Sequence, residues 1–151
     1  MPEKELSFEK YVKLLKYYIQ KYGEKTMVFS QLGSFYEMSA TSYECEVYPY
    51  VEKVAHILNF AIKQRENKSI LVGFPDFAVE KHLKTLLENH YTVVIQDQFK
   101  NDKGEVSKRE VTAIHTPGTF MDVGKDGNSL LSIYADIYFY LWGDKNDVYI
   151  M

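Results

Sequence analysis

Phe35 and Glu37 stand two residues apart in the stretch Gly33-Ser34-Phe35-Tyr36-Glu37. Alternate side chains of an extended strand share a face, so the ring and the carboxylate point the same way. On an exposed face this pair suits a duplex with poorly stacked bases. An apolar ring can push between base pairs at roughly a few kcal/mol per unstacked step, and less where stacking is already weak. The acid can then hydrogen-bond the edge of the loosened base. Burial beside bases and phosphates would raise its pKa and favour the protonated, donating form. The same pattern is common in ordinary strands, with the Phe in the core and the Glu in water, and spacing alone favours that reading.

Other chemistry-bearing residues are weaker candidates. Lys63, Arg65 and Lys68 lie in a charged, turn-like stretch that reads first as a solvated loop. His56, His82, His90 and His115 do not combine with Cys45 at metal-ligand spacings. His82 and His90 read as surface residues and His115 as packed. Cys45 has no paired histidine motif and does not read as a nucleophile. Asp97, Asp102 and Glu105 could be imagined as a divalent-metal nuclease cluster, but a polar loop accounts better for the last two. Tyr11, Tyr17, Tyr18 and Tyr22 recur at helical spacing and read as core and helix surface rather than a base-stacking platform. No Gly-x-x-x-x-Gly-Lys-Ser/Thr phosphate loop occurs. The reading therefore assigns no catalytic residue, metal site or cofactor to this chain.

The whole chain constrains what these residues can do. Its 151 residues are 46% hydrophobic and 26% charged, a globular composition. The formal net charge is −3, unlike a free-standing duplex binder with a broad basic face. Nearly all the cations are lysines; Arg65 and Arg109 are the two guanidinium groups. Bidentate reading of guanine edges wants arginine, so extensive sequence-specific readout is not expected. One cysteine excludes an internal disulfide framework, the opening residues are too charged for a secretory signal, and no apolar run could span a bilayer. A soluble, intracellular protein is expected. Nucleoid, cytoplasm, organelle and viral factory are not distinguished.

The elements that must position Phe35 and Glu37 follow from periodicity. Ser7 to Tyr22 is amphipathic at helical spacing, with Ser7 as N-cap and Gly23 as its stop. Thr26 to Gln31 is a strand, Gly33 breaks it, and Ser34 to Met38 resumes it. A second helix begins near Tyr50, with Pro49 where proline is tolerated. Ile70 to Gly73 is a strand, Phe74-Pro75-Asp76 a turn, and Asp76 a possible cap for a third helix, Ala78 to Asn89. Val93-Val94-Ile95 suggests a strand buried on both faces. Arg109 to His115 alternates as a further strand. Residues 122–129 read as a linker, and Leu130 to Trp142 with Asp147 to Met151 as two more strands. The fold class is mixed α/β (α+β), a mixed sheet flanked by about three helices.

Taken in order, several stretches carry a resemblance: Gly33-Ser34-Phe35-Tyr36-Glu37, Leu71-Val72-Gly73-Phe74-Pro75 with Ala78-Val79-Glu80, Tyr91 to Gln98, Lys108-Arg109-Glu110-Val111, and Thr116-Pro117-Gly118-Thr119. Together they resemble the N-terminal, mismatch-recognition domain of the MutS DNA mismatch-repair family, from about Phe8 to Thr119. The resemblance implies a domain over residues 1–121 and the truncated start of a connector domain over 122–151. It implies that Phe35 wedges beside a mismatch from the minor groove, that Glu37 bonds the displaced base, and that the DNA kinks there. It implies double-stranded DNA with mismatches or small loops as partner, and a MutS-type dimer formed through other domains. ATP and Mg would then concern only a full-length protein.

The chain departs from the family pattern in three ways. Ser34 replaces a residue that is usually acidic or small and polar. Met38 to Pro49 looks like an insertion near the reading motif, and Lys63 to Lys68 looks short where the resemblance implies a phosphate-contacting basic residue, for which Lys63, Arg65 and Lys68 are the candidates. The Gly-Phe-Pro-Asp stretch and the abundant lysine are similar to the giant-virus and octocoral-mitochondrial branch. Two other functions compete: an architectural MutS-like domain that reads nothing, against which the presence of both Phe35 and Glu37 argues, and the metal-dependent nuclease.

Overall fold

The computed structural model describes residues 3–118. It is built on a six-stranded mixed sheet with three helices, as the periodicity predicts. In chain order the elements are α1 (Glu3–Tyr22), β1 (Thr26–Leu32), β2 (Phe35–Ala40), α2 (Tyr48–Ile57), β3 (Lys63–Gln64), β4 (Ile70–Pro75), α3 (Val79–Glu88), β5 (Thr92–Lys100) and β6 (Val106–His115). The strands lie in the order β3-β4-β2-β1-β5-β6. Only β1 and β5 pair in parallel; the other neighbours are antiparallel. The two strands and the connector reading placed beyond Thr119 lie outside the described residues.

Local chemistry explains most of these elements. In α1 the residues Tyr11, Leu15 and Tyr18 recur every three or four positions and are buried, which fixes its inner face. The Tyr11 hydroxyl donates to the carbonyl of Val28 at 2.7 Å and so pins α1 to β1. Burial pushes that hydroxyl's pKa far up. Gly23, at φ +102°, ends the helix, and its N–H reaches back to the Ile19 carbonyl at 2.7 Å. The start differs from expectation: α1 begins at Glu3, so Ser7 lies inside it and is not its cap. Pro49 occupies the first turn of α2, where a missing N–H costs nothing.

The run Val93-Val94-Ile95 is buried throughout. β5 is flanked by β1 and β6, so neither of its edges meets water. Phe74 and Pro75 belong to β4, not to a turn. Asp76 opens a short 3-10 turn (Asp76–Ala78), and α3 starts at Val79 with no side-chain cap. The ring of Phe74 gathers the core between sheet and helix. It lies 5.0 Å from Phe29 at 80°, 5.7 Å from Phe60 at 22° and 4.7 Å from His82 at 63°. His82 is therefore not the surface residue its charged helix suggested. Half-buried against two rings, it has its pKa held below the ordinary value by burial and then by Lys81.

The apparent insertion also finds its place. Met38, Ser39 and Ala40 are buried residues of β2. The loop proper follows them and is fastened to α1 by Lys16 and Glu46 at 2.7 Å. It leaves the end of β2 opposite Phe35, about 16 Å away at the rise of a strand.

Candidate nucleic-acid interface

Leu32 of β1 pairs with Phe35 of β2, so Gly33 and Ser34 form a two-residue hairpin loop. Glycine comes first in it, at φ +61°, the backbone such a tight turn demands of that position. Ser34 offers its carbonyl to the N–H of Asp76 at 2.8 Å, a backbone role that tolerates serine. Phe35 thus begins its strand at the tip of a fixed turn.

Along β2 the burial alternates. Phe35 is 47% exposed, Tyr36 buried, Glu37 half-buried and Met38 buried. Phe35 is not core-facing, the position that spacing alone favours. It shares its face with Glu37. Across β1 that face continues through Leu32 and Ser30, and across β4 through Pro75 and Gly73. Ser30 donates to the side chain of Gln96 at 2.7 Å, leaving a small polar floor beside Glu37. Burial raises the Glu37 pKa, while the charges of Arg65 and Arg109 pull the other way.

A brace drawn from distant sequence holds the hairpin. The side-chain amide of Gln98 accepts from the N–H of Gly33 at 3.1 Å and donates to its carbonyl at 2.9 Å. Gln31 accepts from the Gln98 N–H at 3.1 Å, and Arg109 Nε donates to the Gln31 carbonyl at 3.1 Å. Behind the motif, the Tyr36 hydroxyl donates to Asp97 at 2.6 Å, and Thr112 donates to the other oxygen of the same carboxylate at 2.6 Å. Burial, then the Asp97 bond, pushes the Tyr36 hydroxyl pKa well up. Asp97 is thereby committed to holding β2, and it does not face Asp102 and Glu105 as a metal cluster. Among the described residues no group of three or more His, Cys, Asp or Glu could hold an ion.

The brace carries a prediction. Gln98→Ala removes two hydrogen bonds from a part-exposed turn, each worth about 0.5–1.5 kcal/mol. The domain should lose about 1–2 kcal/mol by chemical denaturation. Amide exchange at Gly33 should accelerate far more than that of the buried Val93 to Ile95. Equal acceleration at both places would show that Gln98 stabilises the domain generally and not the hairpin.

One end of the sheet differs from the rest of the surface. Seven large hydrophobic residues are exposed among the described residues, and five of them lie toward that end, though not on one face: Leu32, Phe35, Phe77, Phe99 and Val106. Phe77, at 87%, is the most exposed and follows the Asp76 contact to the hairpin. Phe99 and Val106 lie where the β5–β6 hairpin runs past Gln98, with the Lys108 ammonium 5.5 Å from the Phe99 ring centre. Sequence reading missed this convergence.

Lys63, Arg65 and Lys68 are exposed but do not join that end. Lys63 pairs with Leu71 and the turn leads into Ile70, the other end of β4. Arg65 reaches back along the sheet far enough to act on Glu37, and its guanidinium lies 6.0 Å from the Phe8 ring centre. Arg109, on the opposite side, is not among the site candidates that the sequence offers. It is the cation that both braces the hairpin and acts on Glu37.

Comparison with known proteins bears on the same region. The family model described as MutS domain I matches residues 8–124. A putative DNA mismatch repair protein, a mutS homolog of Acanthamoeba polyphaga mimivirus, is 33% identical over 155 residues, covering 95% of this chain and 13% of the relative. A mitochondrial DNA mismatch repair protein, the mutS homolog of Sarcophyton glaucum, is 29% identical and covers 82% of this chain and 15% of the relative. The DNA mismatch repair protein MutS of Thermosipho melanesiensis is 32% identical, covering 86% and 16%. The chain thus spans about a seventh of the length of these relatives (13–16%). A giant-virus and an octocoral-mitochondrial protein are both among them, as the Gly-Phe-Pro-Asp stretch suggested.

Proposed function

The chain belongs to the MutS family, whose domain I it carries, and from that premise we propose that it reads mismatches with the apolar end of its sheet. Phe35 is the wedge, entering from the minor groove where stacking is weakest and kinking the duplex. Glu37, on the same face one strand pitch behind, hydrogen-bonds the base that yields. The partner is double-stranded DNA with a mismatch or small loop. The observation that carries this reading is the half-exposed Phe35 ring, on a braced hairpin beside the exposed Leu32. A net charge of −3 leaves little long-range attraction to phosphate, so affinity rests on local contacts and on other parts of a full-length protein. Dimerisation, ATP and Mg belong, in this reading, to those other parts. The architectural alternative leaves the exposed ring without a role. The nuclease alternative loses Asp97 to Tyr36 and Thr112.

The test places 2-aminopurine beside a G·T mismatch and in a matched control, at protein concentrations that saturate both duplexes. Wedge insertion unstacks the probe, so fluorescence should rise on the mismatched duplex alone. Equal spectra from the two duplexes at saturation would end the reading.

Glu37 adds a pH prediction. In the folded chain its pKa is raised, chiefly by burial, so the protonated acid is the form its site favours. Its contribution to stability is full at acid pH and is lost as pH rises through the folded pKa. Insertion beside phosphates raises that pKa further, so mismatch binding takes up a proton. Preference for the mismatch should strengthen as pH falls from the alkaline side toward the Glu37 pKa. In Glu37→Gln, which always presents a donor, the slope should vanish; a slope that persists there belongs to another group.

A further inference from the structure

Gly73 of β4 lies directly across from Glu37 of β2. A β-carbon built on Gly73 would stand 3.3 Å from Glu37 Cγ, 3.7 Å from its Oε2 and 3.2 Å from the Tyr36 carbonyl oxygen. The Glu37 side chain therefore lies along the bare backbone of Gly73, where a β-carbon would press on it and on the Tyr36 carbonyl, forcing one of them to give by a few tenths of an ångström. Gly73 itself has no left-handed backbone to explain it. In a strand interior glycine is otherwise a poor choice, costing entropy and offering nothing to pack. Among the described residues no hydrogen bond ties the Glu37 carboxylate down. Its position is set by shape: Gly73 on one side, Ser30 on the other, and Pro75 and Phe35 one step toward the hairpin. The charges acting on it come from Arg65 beyond β3 and Arg109 on β6, while its neighbours on β1 and β5, Ser30 and Gln96, are uncharged.

We propose that Gly73 is a positioning residue for mismatch reading: its missing side chain is the seat that keeps the Glu37 carboxylate low against the sheet, behind the Phe35 ring. The proposal rests on the mismatch function above for its consequence, but not for its geometry. A carboxylate held low is partly shielded from water and, among the described residues, has no hydrogen-bond partner, so it is ready to bond a base that the wedge displaces. A methyl at position 73 would press it off the sheet toward solvent and toward the path of the base.

The experiment uses the whole 151-residue chain in four forms: unaltered, Gly73→Ala, Glu37→Ala and the double variant. In the first two, carbon-detected NMR follows the Glu37 carboxyl through a pH titration without DNA. In Gly73→Ala the midpoint should fall toward that of an ordinary glutamate; an unchanged midpoint in a folded Gly73→Ala overturns the seat. Binding to mismatched and matched duplex is then compared. Gly73→Ala should lower mismatch preference about tenfold, the scale of one lost hydrogen bond. It should lower it no further when Glu37 is already alanine. An equal loss in both backgrounds would mean that the Tyr36 carbonyl, not Glu37, meets the new methyl, and the proposal fails. Should Gly73→Ala not fold, the double variant decides: recovery of folding supports the clash with Glu37, and continued failure to fold refutes it. If no form discriminates mismatches, the proposed function falls while the titration still tests the seat.

Discussion

Phe35→Ala should abolish most of the preference for mismatched over matched duplex and leave the fold standing. The two halves of that expectation have separate physical origins. The ring is 47% exposed and opens its strand, so truncation removes little buried area and leaves no closed cavity. Surface substitutions of that kind cost about 0.5 kcal/mol or less. Against a base the same ring does far more. Stacking of an aromatic side chain on a base is worth about 1–3 kcal/mol, or roughly 5-fold to 150-fold in affinity. That energy is gained where the step is already weak and is spent on unstacking where it is sound, so its loss falls on the mismatch. Thermal unfolding should therefore be near native while the ratio of dissociation constants for G·T and matched duplex collapses toward one. A folded Phe35→Ala that keeps the native ratio would leave an architectural domain and no wedge. Loss of affinity for both duplexes alike would assign the ring to general grip.

The sequence made the local chemistry legible and left the convergence hidden. Gly33 announces a break, Pro49 a helix start and Val93-Val94-Ile95 a central strand, because backbone freedom, a missing donor and continuous apolar character act within a few residues. Phe77, Phe99 and Val106 look in sequence like any core residue. Only the register of β4 on β2 and of β6 on β5 brings them to the end that holds Phe35. The brace is equally nonlocal, since Gln98 and Gly33 are 65 positions apart. Lys63, Arg65 and Lys68 illustrate the converse. They are grouped in sequence, yet the short β3 carries them to the far end of β4, and of the three only Arg65 reaches the site by its charge. The stretch before Pro49 shows the same thing: it is near the motif in sequence, yet its first residues continue β2 away from it. The resemblance to a family supplied roles for Phe35 and Glu37 that no periodicity could. The alternation of exposure along β2 makes those roles physically available to them.

The largest loss of stability should follow Phe74→Ala. This ring is 2% exposed and touches Phe29, Tyr36, Phe60 and His82, so it joins β1, β2, the residues after α2 and the crossover helix α3. Truncating a buried phenylalanine costs about 3–5 kcal/mol, against a total of about 5–15 kcal/mol for a typical domain. The melting temperature should drop on the order of 10–20 °C for a domain of this size. The effect should reach the interface without touching DNA. Tyr36 stands between Phe35 and Glu37 and leans on Phe74 at 6.1 Å, so a cavity there loosens the strand that presents both. His82 gives an independent readout. Its folded pKa is depressed, so its contribution is full above the ordinary histidine range and is lost as pH falls through the folded value. That loss exists because His82 is shut in against Phe74 and Phe60. In Phe74→Ala water reaches the imidazole, the depression shrinks, and the gap in stability between the native chain and the variant should narrow on acidification. Denaturation of both proteins above and below the histidine range measures this directly. A gap that stays constant with pH would separate His82 from the aromatic cluster, and a cost under about 1 kcal/mol would show the core repacking around the missing ring.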